Sequence, residues 1–519
     1  MKNSKSRREF LRALGWGTLA VALPVCQKHP PKKPNILFIM SDDHAANAIA
    51  CYGSHLAAVV KTPNLDRLAA EGARMKNCFC TNSICAPSRA TILTGQYSHR
   101  NGVYTLHETL PPEHPNVAKE MQENGYQTAV IGKWHLKVDP CGFDHWNVLR
   151  GQGRYRNPIL RGKDTGEKEY PGYSTDVITD LSLDWLRSRD PEKPFFLMCH
   201  FKAPHDRWES AERFDDLYAD KEIPEPENLL DDYRHRFPLA KDVWSTLERM
   251  VPDKYFPYID PEELAGMDRD QTRRYVYQKF LQKYLRCAQA ADDNVGRLLD
   301  FLDLSGLAED TVVVYTSDQG VFIGEHGLFD KRFMYEESLR MPFLIRYPRE
   351  IRPGTVSEEL IENTDFAPLF LDYAGVDIPD YMQGRSFRPI CRGRTPPDWK
   401  EATYYRYWMH MSHFAIPAHY GIRTKRYKLI FYYGLGLGMP DTEFVRAWVD
   451  GSPRIESTEP EWELFDLEKD PHEMKNVFDD PEYAGIVSGL KEMLLKRKAE
   501  IGDTDDSYPE LMELRKKFW

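Results

Sequence analysis

The segment Cys85-Ala86-Pro87-Ser88-Arg89 carries the clearest chemistry in the chain. Pro87 suits the first turn of a helix, where a missing N–H costs little, and Ala90, Ile92 and Leu93 continue the helical run. Cys85 then stands at a helix N-terminus, where free N–H groups and the helix dipole stabilise either a thiolate or a bound oxyanion. A second set of residues offers oxygen. Asp42 and Asp43 follow one apolar run, and Asp318 and Gln319 follow another. Hard cations prefer such donors, whereas zinc recruits His or Cys, so the set points to Ca²⁺ ahead of Mg²⁺. Paired aspartates after strands also cap helices, and it is the repetition at two strand ends that favours a metal.

These residues are far apart in sequence and need a scaffold that gathers them. The runs Asn35–Met40 and Thr311–Thr316 are continuously apolar, as in strands buried on both faces, and they lead into Ser41-Asp42-Asp43-His44 and Ser317-Asp318-Gln319-Gly320. Open α/β sheets collect ligands outside the carboxyl ends of such strands. Further strands are expected at Thr128–Ile131, ending in Gly132-Lys133-Trp134-His135, and at Pro194–His200, leading to Pro204-His205. Helical segments alternate with them, including Asn64–Met75 and a long amphipathic stretch from about Thr272 to Leu304, whose Asp292-Asp293 pair reads as a solvated face. The pattern predicts an α/β fold, doubly wound, with a mostly parallel central sheet flanked by helices over residues 34–392. Beyond the polar, proline-bearing Arg392–Asp398, the stretches Tyr420–Tyr433 and Glu463–Leu467 alternate like antiparallel strands, and a terminal helix is expected from about Tyr483 to Ile501. Residues 400–519 therefore read as a smaller α+β domain with an antiparallel sheet, packed on the first.

At 519 residues, 41% hydrophobic and 12% aromatic, the chain is globular and long enough for more than one domain. A formal charge of −11 argues against a nucleic-acid binder with a broad basic face, but leaves room for a local basic pocket that takes a small sulfated or phosphorylated molecule. Residues 1–30 differ from the rest: Arg7-Arg8 precedes the apolar run Ala13–Val25, as in a twin-arginine export signal, and Leu23-Pro24-Val25-Cys26 is an imperfect lipoprotein cleavage box. The protein is thus expected to be exported, periplasmic or lipid-anchored at the bacterial cell envelope. No later segment approaches the ~20 apolar residues that span a bilayer. The nine cysteines have no regular spacing, and Cys78-Phe79-Cys80 is too tight for a zinc knuckle.

In order along the chain, Asp42-Asp43, Cys85-x-Pro87-Ser88-Arg89 with Leu93-Thr94-Gly95, Gly132-Lys133-Trp134-His135, Pro204-His205 and Ser317-Asp318-Gln319-Gly320 with Lys331 resemble one family. It is the formylglycine-dependent sulfatases of the alkaline-phosphatase superfamily. The resemblance implies that a dedicated maturation enzyme oxidises Cys85 to formylglycine. One hydroxyl of the aldehyde hydrate would attack sulfur to form a covalent sulfate ester, and the other would expel sulfate by regenerating the aldehyde. It further implies one Ca²⁺ held by Asp42, Asp43, Asp318, Gln319 and the modified Cys85. Arg89 and Lys133 would steady the hydrate or the sulfate, and Lys331 would bind sulfate oxygen. His135 would take the proton that starts aldehyde regeneration, and His205 would protonate the leaving alcohol. Many relatives carry Asn where this chain has Gln319, whose carbonyl reaches one methylene further.

Around the site, Phe201–His205 and Gly324–Arg332 are similar to bacterial N-acetylglucosamine-6-sulfatases. The implied substrate is the 6-O-sulfate of a terminal N-acetyl- or N-sulfoglucosamine in heparin or heparan-sulfate fragments, with a 2-O uronate sulfatase as the neighbouring alternative. His410, His413, His419 and Arg423 are the residues of the second domain expected to read the sugar. Two other classes are a phosphatase or phosphodiesterase of the same superfamily and a noncatalytic glycan-binding protein. The first uses Ser or Thr with two transition metals; the second has no need of Cys85, Arg89 and both histidines together.

Overall fold

Alternate side chains of the first strand enter opposite cores. In β1 (Asn35–Asp42), Ile36, Phe38 and Met40 join one apolar cluster and Leu37 and Ile39 the other, which is why the run is continuously hydrophobic. The computed structural model describes residues 33–234, 236, 243–251, 256–439 and 457–519. The segment read as an export signal, with Cys26, lies outside the described residues, as does the side chain of His413.

The remaining strands of the large sheet are β2 (Ala73–Phe79), β3 (Gln127–Gly132), β4 (His145–Leu149), β5 (Ile159–Gly162), β6 (Gly166–Glu169), β7 (Phe195–Pro204) and β8 (Thr311–Ser317). A short pair, β9 (Phe322–Ile323) and β10 (Phe329–Asp330), stands apart, and β11 (Arg340–Arg346) and β12 (Thr355–Glu362) complete the sheet. Its ten strands run in the order β12-β2-β11-β8-β1-β7-β3-β4-β5-β6. All share one direction except β5 and β11, as expected of a mostly parallel sheet.

Register does the gathering. Central β1 lies between β8 and β7, with Ser41 opposite Ser317 and Asp42 opposite Pro204, so Asp42, Asp318 and His205 emerge side by side. On the far side of β7, Gly132 pairs with His200, which brings Lys133 to the same end. Gly132 has φ +112°, and a Cβ there would meet the His200 carbonyl oxygen at 1.8 Å, so only glycine lets β3 end this close to β7.

Helix Arg269–Leu304 starts at an Asp268–Gln271 capping box, three residues before the expected start. Its Ala291, Val295, Leu298, Leu299 and Leu302 cover one face of the sheet, and helix Phe366–Ala374 packs in the core on the other. One expectation is corrected here. Asp292 is fully buried, not solvated: it accepts hydrogen bonds from the backbone N–H groups of Asn64 and Leu65 at 3.3 and 2.9 Å, and so caps helix Pro63–Glu71. Burial pushes its carboxyl up to about 6.

The second sheet is antiparallel, ordered β13 (Ala402–Tyr407), β14 (His419–Thr424), β15 (Tyr427–Tyr432) and β16 (Glu461–Asp466). Tyr420–Tyr433 is thus a hairpin turning at Lys425-Arg426, flanked by a strand that the sequence pattern did not announce. Tyr404, Tyr420, Ile422, Leu429 and Phe431 pack against Leu490, Leu494 and Ile501 of helix Ala484–Ile501, while Tyr405, Tyr407, Ile430 and Tyr432 join the main core. Residues Pro34–Trp519 cluster as one compact unit. No helix among the described residues is long and apolar enough to cross a membrane.

Candidate active site

The Cys85–Thr94 helix is buried along its whole length and ends at Gly95 in the left-handed conformation. Its N-cap, Ile84, offers no side-chain acceptor, so no cap competes with an anion for the first-turn N–H groups. Ser88 explains part of the motif. Its hydroxyl donates to the backbone carbonyl of Asp318 and accepts from Asn363 Nδ2 at 2.9 Å, tying the cysteine helix to the end of β8.

Around Cys85 the charges alternate. Its Sγ, which marks where an oxygen of the matured side chain would stand, lies 3.4 Å from Asp42 Oδ1, 3.6 Å from Gln319 Nε2 and 3.8 Å from Lys133 Nζ. Asp42 pairs with Lys133 and, at 3.6 Å, with Arg89, while Arg89 Nε donates to Asp318 Oδ2 at 2.9 Å. Asp43, held at φ +62°, accepts from Lys331 Nζ at 2.6 Å on both oxygens and from Gln319 Nε2. Burial raises the Asp42 carboxyl, yet His205, Lys133 and Arg89 outweigh it and hold the group well below the usual range. Asp318 goes the other way, to about 7, through burial and the neighbouring Asp42 carboxylate.

This donor set fits a hard cation. Asp42, Asp43 and Asp318 each bring a carboxylate oxygen within 4.8 Å of the others. Gln319 is buried, its Nε2 spent on Asp43 and its Oε1 without a partner, so the orphaned oxygen is the atom a cation needs.

A cavity of about 270 Å³ opens on this cluster. Cys85, Asp43, His205 and Lys331 line it on the charged side, and Trp208 and Phe414 are among the apolar walls. Burial disfavours the charged His205 ring, but the carboxylates of Asp42, Asp206 and Asp43 outweigh it and raise the group to about 10. A cation bound between those carboxylates would withdraw part of that support and bring the ring nearer the ordinary histidine range. His135 sits at φ +61° with a buried, unpartnered Nδ1, and burial with Lys133 and Arg89 keeps it neutral.

Of the sugar-reading residues expected in the second domain, His410, His419 and Arg423 do not line this cavity. His419 is wholly buried in a cage of Phe333, Tyr405, Tyr407 and Tyr432, with Nδ1 on the Pro417 carbonyl at 2.8 Å. Arg423 forks onto Glu336 at 3.1 and 3.0 Å and lies over Phe79. His410 Nδ1 accepts the Ala418 N–H at 3.2 Å. A polar residue on an aromatic strand looks the same in sequence whether it serves core or ligand. The polar lining includes instead Gln152, Asp206, Asp330 and Arg332, none of which was given a role from the sequence. Three of these adjoin recognised motif residues, and that adjacency was a usable signal.

Known proteins resemble this chain over nearly its full length. The Sulfatase family profile matches residues 34–376, and a profile described as N-sulphoglucosamine sulphohydrolase, C-terminal, matches residues 324–436 and 455–500. An N-acetylglucosamine-6-O-sulfatase of Bacteroides thetaiotaomicron is 40% identical, covering 94% of this chain and 90% of its own. An arylsulfatase of Clostridium perfringens is 27% identical over 94% of this chain and 98% of its own. A protein solved in complex with its substrate D-glucosamine-2-N,6-O-disulfate superposes with a TM-score of 0.82 at 38% identity, covering 92% of this chain and all of that one. With its cysteine helix, clustered carboxylates and nearly full-length likeness in hand, the chain belongs to the sulfatase family and is a sulfuric ester hydrolase.

Proposed function

We propose that this sulfatase removes the 6-O-sulfate from a terminal N-acetyl- or N-sulfoglucosamine of heparin- or heparan-type fragments, outside the cytoplasm, after a maturation enzyme has converted Cys85 to formylglycine. The observation that carries the reading is the convergence on one cavity of Cys85, His205 and Lys331 beside the Asp42–Asp43–Asp318 cluster. The 40% identity to an N-acetylglucosamine-6-O-sulfatase supports the choice of sulfate position. A cavity of about 270 Å³ favours one sugar at a chain end over a cleft for a long polyanion.

Asp42, Asp43, Asp318 and Gln319 would hold the Ca²⁺, which with the aldehyde hydrate at position 85 supplies charge neutralisation and a nucleophilic oxygen. The chain's own side chains do the rest. Lys331, buried against Asp43, presents a fixed cation to the sulfate oxygens, and Lys133 does the same from the Asp42 side. Arg89 orients Asp318 and keeps positive charge beneath Cys85. His205 donates a proton to the departing sugar oxygen, a contribution of roughly 10² to 10⁴-fold for a general acid. His135, neutral with Nδ1 free, accepts the proton when sulfate is expelled.

Sulfate release from a panel of mono- and disaccharides sulfated at single positions tests the proposal. Release from O6 of glucosamine is expected; release from O2 of a uronate with none from O6 would remove it. Intact mass of the active protein is expected to be about 18 Da below that of the cysteine form, the loss for a thiol-bearing carbon oxidised to an aldehyde.

A further inference from the structure

Proton donation by His205 uses Nε2, the nitrogen that faces the carboxylate cluster, 3.6 Å from Asp43 Oδ2. The sulfatase motifs name no residue for the other nitrogen. We infer that Asp206 is a positioning residue that acts through His205, fixing the ring so that Nδ1 keeps its own hydrogen and Nε2 presents the transferable one to the leaving oxygen. The inference rests on the reading of His205 as proton donor.

Both acceptors of Asp206 converge on Nδ1. The carboxylate Oδ1 forms an ion pair with it, and the backbone carbonyl of the same residue lies 3.1 Å away. An imidazole nitrogen that faces acceptors must carry hydrogen, so the tautomer and the direction of the ring are set together. The backbone that brings these acceptors is itself clamped. Lys202 Nζ donates to the Asp206 carbonyl at 2.7 Å, and the Tyr155 hydroxyl donates to the His205 carbonyl at 2.5 Å. Lys202 also stands 4.8 Å over the Tyr155 ring, and both side chains are buried. Thus β7 delivers His205 at its end, and a lysine within the same strand locks the peptide beyond it.

In the step itself an oxygen of the aldehyde hydrate at position 85 would bond to sulfur while the bond between sulfur and the sugar oxygen breaks, with the electron pair of the broken bond going to the sugar oxygen. The Nε2 proton passes to the oxygen, and the ring is left neutral with its hydrogen on Nδ1. Solvent then restores the Nε2 proton. Asp206 remains a carboxylate throughout.

Steady-state kinetics of mature, calcium-loaded enzyme on 6-sulfated N-acetylglucosamine test this, with formylglycine content checked by intact mass in each variant. Asp206→Ala is expected to lower kcat about 10²-fold and leave KM within about twofold, the signature of a lost general acid. Asp206→Asn, which keeps an acceptor for the Nδ1 hydrogen, is expected to recover most of the rate. Adding Asp206→Ala to His205→Ala should cost nothing further, because residues that act as a unit are not additive. Losses that multiply in the double variant, or a raised KM with kcat intact, would overturn the inference alone. An undiminished kcat in His205→Ala would instead remove the proton-donor reading, and this inference with it.

Discussion

Two buried charge clusters in this molecule are built from similar parts and behave differently. At the carboxyl ends of β1 and β8, Asp42, Asp43 and Asp318 meet Arg89, Lys133 and Lys331. Beneath the second sheet, Asp503 meets Arg406 and the Tyr404 hydroxyl at 2.5 and 2.6 Å. Asp505 there meets Lys498, Arg515 and the Tyr420 hydroxyl at 2.9, 3.4 and 3.1 Å. In the second cluster the cations outweigh the burial of Asp503 and hold its carboxyl well down, and Arg406 also stacks on Trp408. In the first, the carboxylates crowd one another and Asp318 is pushed up. Cations equal carboxylates in the first cluster, three to three, and outnumber them in the second, three to two. What differs is the crowding: carboxylates answered separately by cations and hydroxyls consolidate a fold, whereas three carboxylates with oxygens within 4.8 Å of one another leave a place for a ligand.

The comparison can be broken most sharply at Cys85. Cys85→Ala is expected to reduce sulfate release roughly 10⁴- to 10⁶-fold, as for loss of a nucleophile, with an unchanged unfolding midpoint in urea; an equal loss of stability would mean that the site also holds the fold together. Arg406→Ala should do the reverse. Removing one partner of a buried pair costs about 3–5 kcal/mol, read as a lower urea midpoint, while the rate per folded molecule stays the same.

Chelation of the native protein sharpens the distinction further. Activity is expected to vanish and to return on adding Ca²⁺, and at a hundredfold excess over the dissociation constant the ion should add about 2.7 kcal/mol of stability. An unfolding midpoint indifferent to Ca²⁺ would argue that the carboxylate cluster binds nothing.

The smallest effect expected is of pH. His326 and His419 lie buried outside both clusters, and burial holds them neutral, down to about 3 and about 4. Their unfolded forms protonate near ~6.5, so the unfolded state binds more protons below that value. The stability they contribute is therefore complete above ~6.5 and lost as pH falls from there toward the folded values. The contribution of His419 is read by comparison: relative to the unaltered protein, His419→Gln should lose less stability, or gain more, between pH 7.5 and 5.5, measured as urea midpoints.

Much of the site was legible before folding because its chemistry is local. A cysteine two residues before a proline and one helical turn before an arginine, and aspartates at the ends of apolar runs, depend on short spacings that a strand or helix reproduces faithfully. The parallel core was legible for the same reason, since continuous apolar runs answer to burial on both faces. The antiparallel strand β11, inserted between β2 and β8, left no comparable mark, because its pairing is decided by partners far away in sequence. The surroundings of Asp292 and His419 were hidden for a related reason: the helix that Asp292 caps lies more than 200 residues away, and His419 is surrounded by rings from other segments.

What the sequence alone determined is the inventory: an oxidisable cysteine at a helix start, oxygen donors after two strands, two histidines after two more, and an α/β frame to carry them. Tertiary structure decided which of them meet. The register of β1 between β8 and β7 sets Asp42 beside Asp318 and His205, and the packing of the second sheet turns His410, His419 and Arg423 away from the cavity while Asp206, Asp330 and Arg332 line it. Residue type sets what a group can do, but proximity between groups hundreds of residues apart depends on the burial and pairing of everything between them.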